Sequence, residues 1–104
     1  MLFNVHFEVI TDESAEHGEP ERLGTLATAV SLRDALEMIR QDASSHCALE
    51  AIEPSESPVT SRNAWINVMY GRDWITGEFQ NYSLHSEQGI SPASMRRLVK
   101  LLNR

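Results

Sequence analysis

Four histidines and one cysteine are the residues of this chain best suited to metal or thiol chemistry: His6, His17, His46, His85 and Cys47. Only His46 and Cys47 are close in sequence, and adjacent residues of a strand point to opposite faces. The chain has no Cys-x-x-Cys or His-x-x-x-His spacing, the usual signature of a zinc site. The pattern therefore predicts no structural or catalytic metal.

The segment Ser45-His46-Cys47 places a thiol next to an imidazole. A cysteine nucleophile also needs an oriented base and donors for an oxyanion, and the sequence indicates neither. A lone cysteine at the start of a strand is more typical of a small buried apolar residue. The chain also lacks a Gly-rich phosphate loop. We therefore expect a protein that is not an enzyme and has no cofactor.

Charge is unevenly distributed along the chain, which has a formal net charge of −6. Residues 1–21 carry six acidic side chains and no Lys or Arg, whereas residues 91–104 carry four basic side chains and no acidic one. Two such ends can pair, within one chain or across a dimer. The acidic run 8–21 is typical of a solvating loop, but it could instead present carboxylates to a basic partner.

Basic residues near the C-terminus give the main alternative function. Arg96, Arg97, Lys100 and Arg104 lie on one predicted helix and could contact phosphates, as in a nucleic-acid-associated protein. The net negative charge disfavours nucleic acid as a partner, because phosphate attracts basic surfaces. A third hypothesis is an acidic decoy, of the kind found in mobile elements, that inhibits a nucleic-acid-binding complex by occupying its basic groove.

The first part of the chain reads as two strands joined by a long loop. Residues 2–10 alternate, which predicts a strand with Phe3, Val5, Phe7 and Val9 on its core side. Residues 11–22 are acidic and turn-forming, so we expect a mobile loop. Residues 23–30 read as a second strand, with Leu26, Thr28 and Val30 on one side.

Two helices are predicted from capping residues and apolar spacing. Ser31 is the expected N-cap of the first, which should end near residues 42–44, and Asp34 fits a capping box. Ser91 precedes the second, with Pro92 at its first position. Their buried stripes are Leu32, Ala35, Leu36 and Ile39 in the first helix, and Met95, Leu98, Val99 and Leu102 in the second.

The stretch from Ala64 to His85 contains both tryptophans and both tyrosines and reads as a hairpin. A short strand over Cys47–Glu53 and a loop over 54–63 precede it. The first hairpin strand places Ile66, Val68 and Tyr70 on one side and Trp65, Asn67 and Met69 on the other. The second runs from about Glu78 to His85, with Tyr82 and Leu84 on one side. Phe79 has the opposite parity, which indicates a bulge or a late start of this strand.

These elements predict one α+β domain over residues 1–104, in the order ββαβββα. The sheet should be mainly antiparallel and five-stranded, with two helices on one face. The longest apolar run is too short to cross a membrane, and the N-terminus lacks the basic start and unbroken apolar centre of a secretory signal. We therefore expect a cytoplasmic protein that does not bind membranes, and its single cysteine fits a reducing compartment.

The hairpin supplies the predicted binding residues. Trp74, Ile75 and Arg72 lie in the connection between Gly71 and Gly77, where aromatic and Arg side chains are typical of interface hot spots. The alternative is that Trp74 folds back onto the core edge.

Trp65 and Met69 fall on the sheet face that the helices leave open, unless the parity of one strand is inverted. We expect a homodimer or a protein partner to cover them. The predicted function is a small protein-interaction module that self-associates or docks on a protein partner through this hairpin.

Overall fold

The computed structural model describes residues 1–43, 45–55, 65–86 and 88–103. It confirms the predicted α+β class and the order ββαβββα, with one additional short helix. The elements are β1 (Phe3–Ile10), α1 (Asp12–Glu16), β2 (Arg22–Val30), α2 (Leu32–Asp42), β3 (Leu49–Ser55), β4 (Trp65–Arg72), β5 (Phe79–His85) and α3 (Pro92–Leu102).

All five strands belong to one antiparallel sheet with the order β2-β1-β5-β4-β3. The two predicted hairpins, β1–β2 and β4–β5, are both present. They are joined by pairing between β1 and β5, in which Val5 lies opposite Leu84. This long-range pairing makes β5 the central strand, so the hairpin most easily recognised in the sequence also forms the middle of the sheet.

The core lies between the sheet and the two longer helices. Helix α2 packs on β1 and β2, and α3 packs on β3 and β4. The alternation and the apolar stripes of the sequence predict most of the buried set, which is Phe3, Val5, Val9, Ala35, Ile39, Ile66, Val68, Tyr82, Leu84, Ile90, Met95 and Val99. Phe7 is only partly buried, and its ring packs over Gly24, where a Cβ would lie 2.9 Å from the ring.

Both longer helices begin where the sequence indicates. The hydroxyl of Ser31 accepts a hydrogen bond from the N–H of Asp34 at 3.1 Å. The hydroxyl of Ser91 accepts one from the N–H of Ser94 at 3.2 Å, and Pro92 occupies the first turn. These caps satisfy N–H groups that have no partner within the helix, which is why serine marks both starts.

The prediction of a loop over residues 11–22 is wrong for Asp12–Glu16, which form α1. Thr11 and Ser14 cap this helix reciprocally, because each side chain accepts a hydrogen bond from the backbone N–H of the other, at 3.0 and 2.8 Å. An acidic first turn is also favourable at a helix N-terminus. The helix has only five residues, too few to show an apolar period in the sequence.

The third strand is shifted from the predicted Cys47–Glu53 to Leu49–Ser55. Pro54 is therefore within a strand rather than a loop, which is tolerated because β3 is at the edge of the sheet. Ser55 is likewise in β3, and residues 56–63 of the predicted loop, with Ala64, lie outside the described residues. The bulge predicted near Phe79 is present, but the extra residue is on β4, between the pairs Met69–Asn81 and Arg72–Phe79.

Both edge strands carry features that oppose pairing with another sheet. In β2 the register shifts, and Ala29 adopts a positive φ of 53°. The N–H of Ala29 donates to Oδ1 of Asn4 at 3.0 Å. In β3, Pro54 and the exposed Glu50 and Glu53 face solvent. Bulges, proline and charge are common ways of protecting a sheet edge.

Within the described segments, no helix combines the length and the hydropathy needed to span a bilayer.

Candidate functional site

The predicted binding residues fall in two places. Arg72, Trp74 and Ile75 lie at or beside the turn between β4 and β5, which we call the tip (residues 71–77). Trp65 and Met69 lie on the face of the sheet opposite α2 and α3, which we call the open face. The hairpin thus does not bring all five residues into one patch, because residues 73–77 of the tip lie beyond the ends of β4 and β5.

The tip presents two large apolar side chains to solvent. Trp74 is 69% exposed and Ile75 is 66% exposed. The alternative that Trp74 packs on the core edge is therefore wrong for the described part of the chain. The other exposed large apolar residues there lie elsewhere: Met1 and Leu2 precede β1, and Leu23, Met38, Leu49 and Leu101 each belong to a different element. Two adjacent, exposed apolar side chains at a turn therefore distinguish the tip.

Asp73 fixes the backbone of the tip. It is 4% exposed, and its Oδ1 accepts hydrogen bonds from the N–H groups of Ile75 and Thr76 at 2.8 and 2.9 Å. Two backbone bonds close the turn: Asp73 N–H to the Glu78 carbonyl and Gly77 N–H to the Asp73 carbonyl, both 2.8 Å. Gly77 has a positive φ of 78°, which glycine adopts at little cost. The turn is thus internally bonded on both sides of Trp74.

The segment before β3 supports Trp74 from the side. The N–H of Trp74 donates to the carbonyl oxygen of His46 at 3.1 Å. The two rings meet edge to face, with centroids 5.8 Å apart and an interplanar angle of 67°. Aromatic pairs prefer such geometry because the positive edge of one ring faces the negative face of the other. His46 therefore restricts the indole while leaving most of it exposed.

Arg72 anchors the tip to α1. Its guanidinium donates to both carboxylate oxygens of Asp12, at 2.9 and 3.2 Å, and lies 4.8 Å from the centre of the Phe79 ring. The hydrogen bonds and the positive charge of Arg72 lower the pKa of Asp12, and Asp12 in turn raises the pKa of Arg72. Arg72 thus holds the tip in place, and its predicted role as a partner contact stays a prediction.

The open face is more polar than the sequence suggests. Two cross-strand rows run over its centre, Leu23-Glu8-Asn81-Met69 and Thr25-His6-Ser83-Asn67. Nδ1 of His6 is 3.2 Å from the Thr25 hydroxyl, as expected for an ordinary polar residue on a sheet face. A shallow groove of about 420 Å³ crosses these rows between Leu23 and Trp65. Five of the nine residues that line the groove are polar, and Leu23 and Trp65 lie at its two sides.

Trp65 and Met69 are half-buried on this face. The indole N–H of Trp65 donates to Oδ1 of Asn67 at 3.0 Å, so Trp65 lies along the sheet. Ile10 is half-buried at the end of β1, and Leu2 precedes this strand. The parity itself is as predicted, because Ile66 and Val68 are buried on the other side.

A polar cluster on the inner face is structural in character. The hydroxyl of Tyr82, which is 3% exposed, donates to Oδ2 of Asp42 at 2.7 Å. Burial, with the hydrogen bond and charge of Asp42, raises the pKa of Tyr82 well above its ordinary value. The ring of Tyr70 meets that of Tyr82 edge to face, with centroids 5.8 Å apart. The thiol of Cys47 donates to Oε1 of Gln80 at 3.9 Å.

The remaining candidates from the sequence are dispersed. Among the described residues, no three His, Cys, Asp or Glu side chains come close enough together to hold a metal ion. Arg96, Arg97 and Lys100 are exposed on α3, and Arg104 lies outside the described residues. None of the ion pairs found in the described part of the chain joins α3 to residues 1–21.

The sequence did not predict that His46 and Asp12 contact the tip. Asp12 is 60 residues from Arg72 and belongs to an element that reads as a loop, so no local pattern connects them. Asp73 carries a local signal, since aspartate side chains in turns commonly accept a hydrogen bond from the backbone two residues on.

Comparisons of this chain with protein-family models, with curated proteins and with solved structures give no match. No relative therefore suggests a substrate, a partner or an activity.

Proposed function

We propose that this protein is a non-enzymatic interaction module that docks on another protein by inserting Trp74 and Ile75 into an apolar pocket. The observation that carries the proposal is the exposure of these two side chains, 69% and 66%, on a turn closed by its own hydrogen bonds. Tryptophan is enriched among the residues that dominate binding energy, and fully burying a large side chain contributes roughly 1.5–3 kcal/mol.

The fixed backbone of the tip favours binding. Association must offset the entropy lost when loops and side chains become ordered at an interface. Here the turn is already bonded through Asp73, and the edge-on contact with His46 restricts the indole. A partner that binds Trp74 therefore has little of the tip left to order.

The shape of the tip indicates a protein partner rather than a small molecule. Small-molecule sites are concave, whereas the tip is a projection at the end of two strands. A projecting indole needs a pocket on another macromolecule. The protected edges of β2 and β3 disfavour pairing of two sheets, so we propose a heterologous partner rather than an edge-paired homodimer. A cytoplasmic location fits the single thiol, Cys47.

The test compares Trp74→Ala with a matched variant, Leu101→Ala, which removes an exposed apolar side chain (56%) from α3. Each protein is immobilised and exposed to a lysate of its native host, and bound proteins are quantified by mass spectrometry. We expect one protein to bind wild type and Leu101→Ala equally and Trp74→Ala at least tenfold more weakly, a loss of about 1.4 kcal/mol or more. Thermal melting of all three should nearly coincide.

Two results would contradict the proposal. Equal recovery of every bound protein by wild type and Trp74→Ala would exclude the tip as the docking surface. A large drop in the melting temperature of Trp74→Ala would show that Trp74 stabilises the fold instead. Light scattering over a concentration series tests the homodimer alternative, which predicts a doubled mass for wild type and a monomer for Trp74→Ala.

A nucleic-acid role remains the second candidate, because Arg96, Arg97 and Lys100 are exposed on α3. It predicts retention on immobilised DNA or heparin that weakens as salt rises and is reduced in Arg96→Gln/Arg97→Gln. Absence of retention at low ionic strength would remove this candidate without affecting the docking proposal.

A further inference from the structure

We infer that the protein docked by the tip is basic around its pocket, and that α1 and the following turn (residues 12–21) form the acidic rim of the same interface. This inference rests on the proposed docking function and adds the chemistry of the partner. It depends on where the sheet places the tip, α1 and the carboxylates near them.

The strand register brings α1 and the tip to one end of the molecule. Phe79, the first residue of β5, lies opposite both Ile10 of β1 and Arg72 of β4. Helix α1 follows Ile10, and residues 73–77 of the tip follow Arg72, so both leave the sheet at the same end. The Arg72–Asp12 ion pair then joins them directly, at 2.9 Å.

The cations at this end are already matched by carboxylates. Arg72 pairs with Asp12, and Arg22 lies 3.8 Å from the carboxylate of Glu78, the residue after the tip. Glu50 adds a further carboxylate, since its Oε1 would lie 2.6 Å from a Cβ placed at Gly71. Over the described residues, the surface around the tip therefore has no net positive charge to offer an acidic partner.

The remaining carboxylates are exposed and give this end a strongly negative rim. No described residue forms an ion pair with any of these carboxylates, which belong to Glu13, Glu16, Glu19, Glu21 and Glu50. An apolar projection beside such a rim is complementary to a pocket bordered by Lys or Arg. Repulsion from phosphate makes nucleic acid an unsuitable occupant of this end.

A second copy of the chain is a poorer occupant than a different protein. Its basic cluster, Arg96, Arg97 and Lys100, lies on α3, which packs on β3 and β4, whereas α1 follows β1 near the opposite edge of the sheet. Docking the acidic end of one copy on α3 of the next would be a head-to-tail contact. Such contacts generate rings or open chains rather than a closed dimer.

The two parts of the interface should have separable effects. Rim charges steer encounter and mainly change the association rate, whereas a buried anchor mainly changes the dissociation rate. The carboxylates of α1 should therefore control how fast the complex forms and how strongly salt slows it. Trp74 should control how long the complex lasts.

The experiment uses the protein captured through Trp74 in the preceding test, purified after identification. Its association and dissociation rates are measured by biolayer interferometry at low and at high ionic strength. The rim variant is Glu13→Gln/Glu16→Gln. The matched control is Asp34→Asn/Glu53→Gln, which removes two exposed carboxylates, one at the start of α2 and one on β3, away from the tip.

We expect the rim variant to associate roughly three- to tenfold more slowly at low ionic strength, with a nearly unchanged dissociation rate. Wild type should lose the same advantage at high ionic strength, and the control should match wild type. An unchanged association rate in the rim variant would overturn the basic-partner inference while leaving docking through Trp74 intact. Failure to recover any Trp74-dependent protein would instead overturn the proposed function, and this inference with it.

Discussion

Tyr82 and Trp74 belong to the same β4–β5 hairpin and each depends on an aspartate, yet their environments are opposite. Tyr82 is 3% exposed, and its hydroxyl donates to Asp42 at the end of α2. Trp74 is 69% exposed, and Asp73 organises the turn that presents it. One aspartate binds the aromatic residue itself, whereas the other binds the backbone around it.

This difference shows two ways of placing a large aromatic side chain. Tyr82 is buried because strand alternation directs it toward the helices, and its one polar atom finds a partner there. Trp74 lies where the strands end, so alternation no longer assigns it to a face. The hydrogen bonds of the turn then decide its direction, and they leave it exposed.

The largest expected effect comes from removing both rings in turn. Tyr82→Ala should lower the free energy of unfolding by about 3–5 kcal/mol, because it leaves a cavity and an unpaired Asp42. Trp74→Ala should change it by only about 0.5 kcal/mol or less, because the indole is mostly exposed. Urea unfolding followed by circular dichroism measures both. Equal destabilisation by the two variants would erase the distinction between core and tip.

The next effect concerns the two aspartates. Asp73→Ala should lower the free energy of unfolding by about 1–3 kcal/mol, because the N–H groups of Ile75 and Thr76 lose their acceptor. Asp73→Asn keeps an oxygen in the same place and should recover much of this stability. The same urea titrations measure it. If Ala and Asn were equally harmful, the negative charge of Asp73 would matter and not its hydrogen bonds.

A pH dependence should distinguish Tyr82 from residues of the tip. The pKa of Tyr82 is raised in the folded protein, mainly by burial, so its contribution to stability is complete below the ordinary tyrosine value near 10. Above pH 10 the unfolded chain loses the phenolic proton first. The free energy of unfolding should then fall, by at most about 1.4 kcal/mol per pH unit for this group.

Tyr82→Phe should remove that part of the alkaline loss, while Trp74→Phe should keep it. The pKa of Tyr70 is also raised, mainly by burial. Tyr70→Phe therefore serves as the matched control, because it removes the other phenol of the hairpin and leaves Tyr82 in place. Denaturation midpoints between pH 9 and pH 11 provide the measurement. An unchanged alkaline slope in Tyr82→Phe would contradict the buried position of its hydroxyl.

The smallest effect is local to the ion pair that joins α1 to the tip. Arg72→Gln should raise the pKa of the Asp12 carboxyl toward its ordinary value, since the hydrogen bonds and charge of Arg72 are what lower it. Carbon-detected NMR titration of the aspartate carboxyls reports this directly, with Arg22→Gln as the control. Both side chains are exposed, so global stability should change little. If the pKa of Asp12 changed in Arg22→Gln but not in Arg72→Gln, Asp12 and α1 would not lie beside Arg72.

Much of the fold could be predicted from the sequence because local signals agree with one another. Alternation in residues 2–10, serine caps at Ser31 and Ser91, and the aromatic hairpin each indicate one structure and lead to the same sheet. The errors fall where signals are short or absent. Helix α1 has only five residues. Strand β3 begins two residues later than predicted, because an edge strand carries little periodic information.

The sequence by itself determined the strands, the two longer helices, the buried stripes and the presence of large apolar residues at a turn, since these depend on neighbours within a few positions. Only the tertiary structure decided that β1 pairs with β5, and therefore that α1 and the tip share one end. It also decided that His46 and Asp12 support that tip, and that Trp74 faces solvent. These outcomes depend on contacts between residues far apart in the chain, for which local spacing contains no signal.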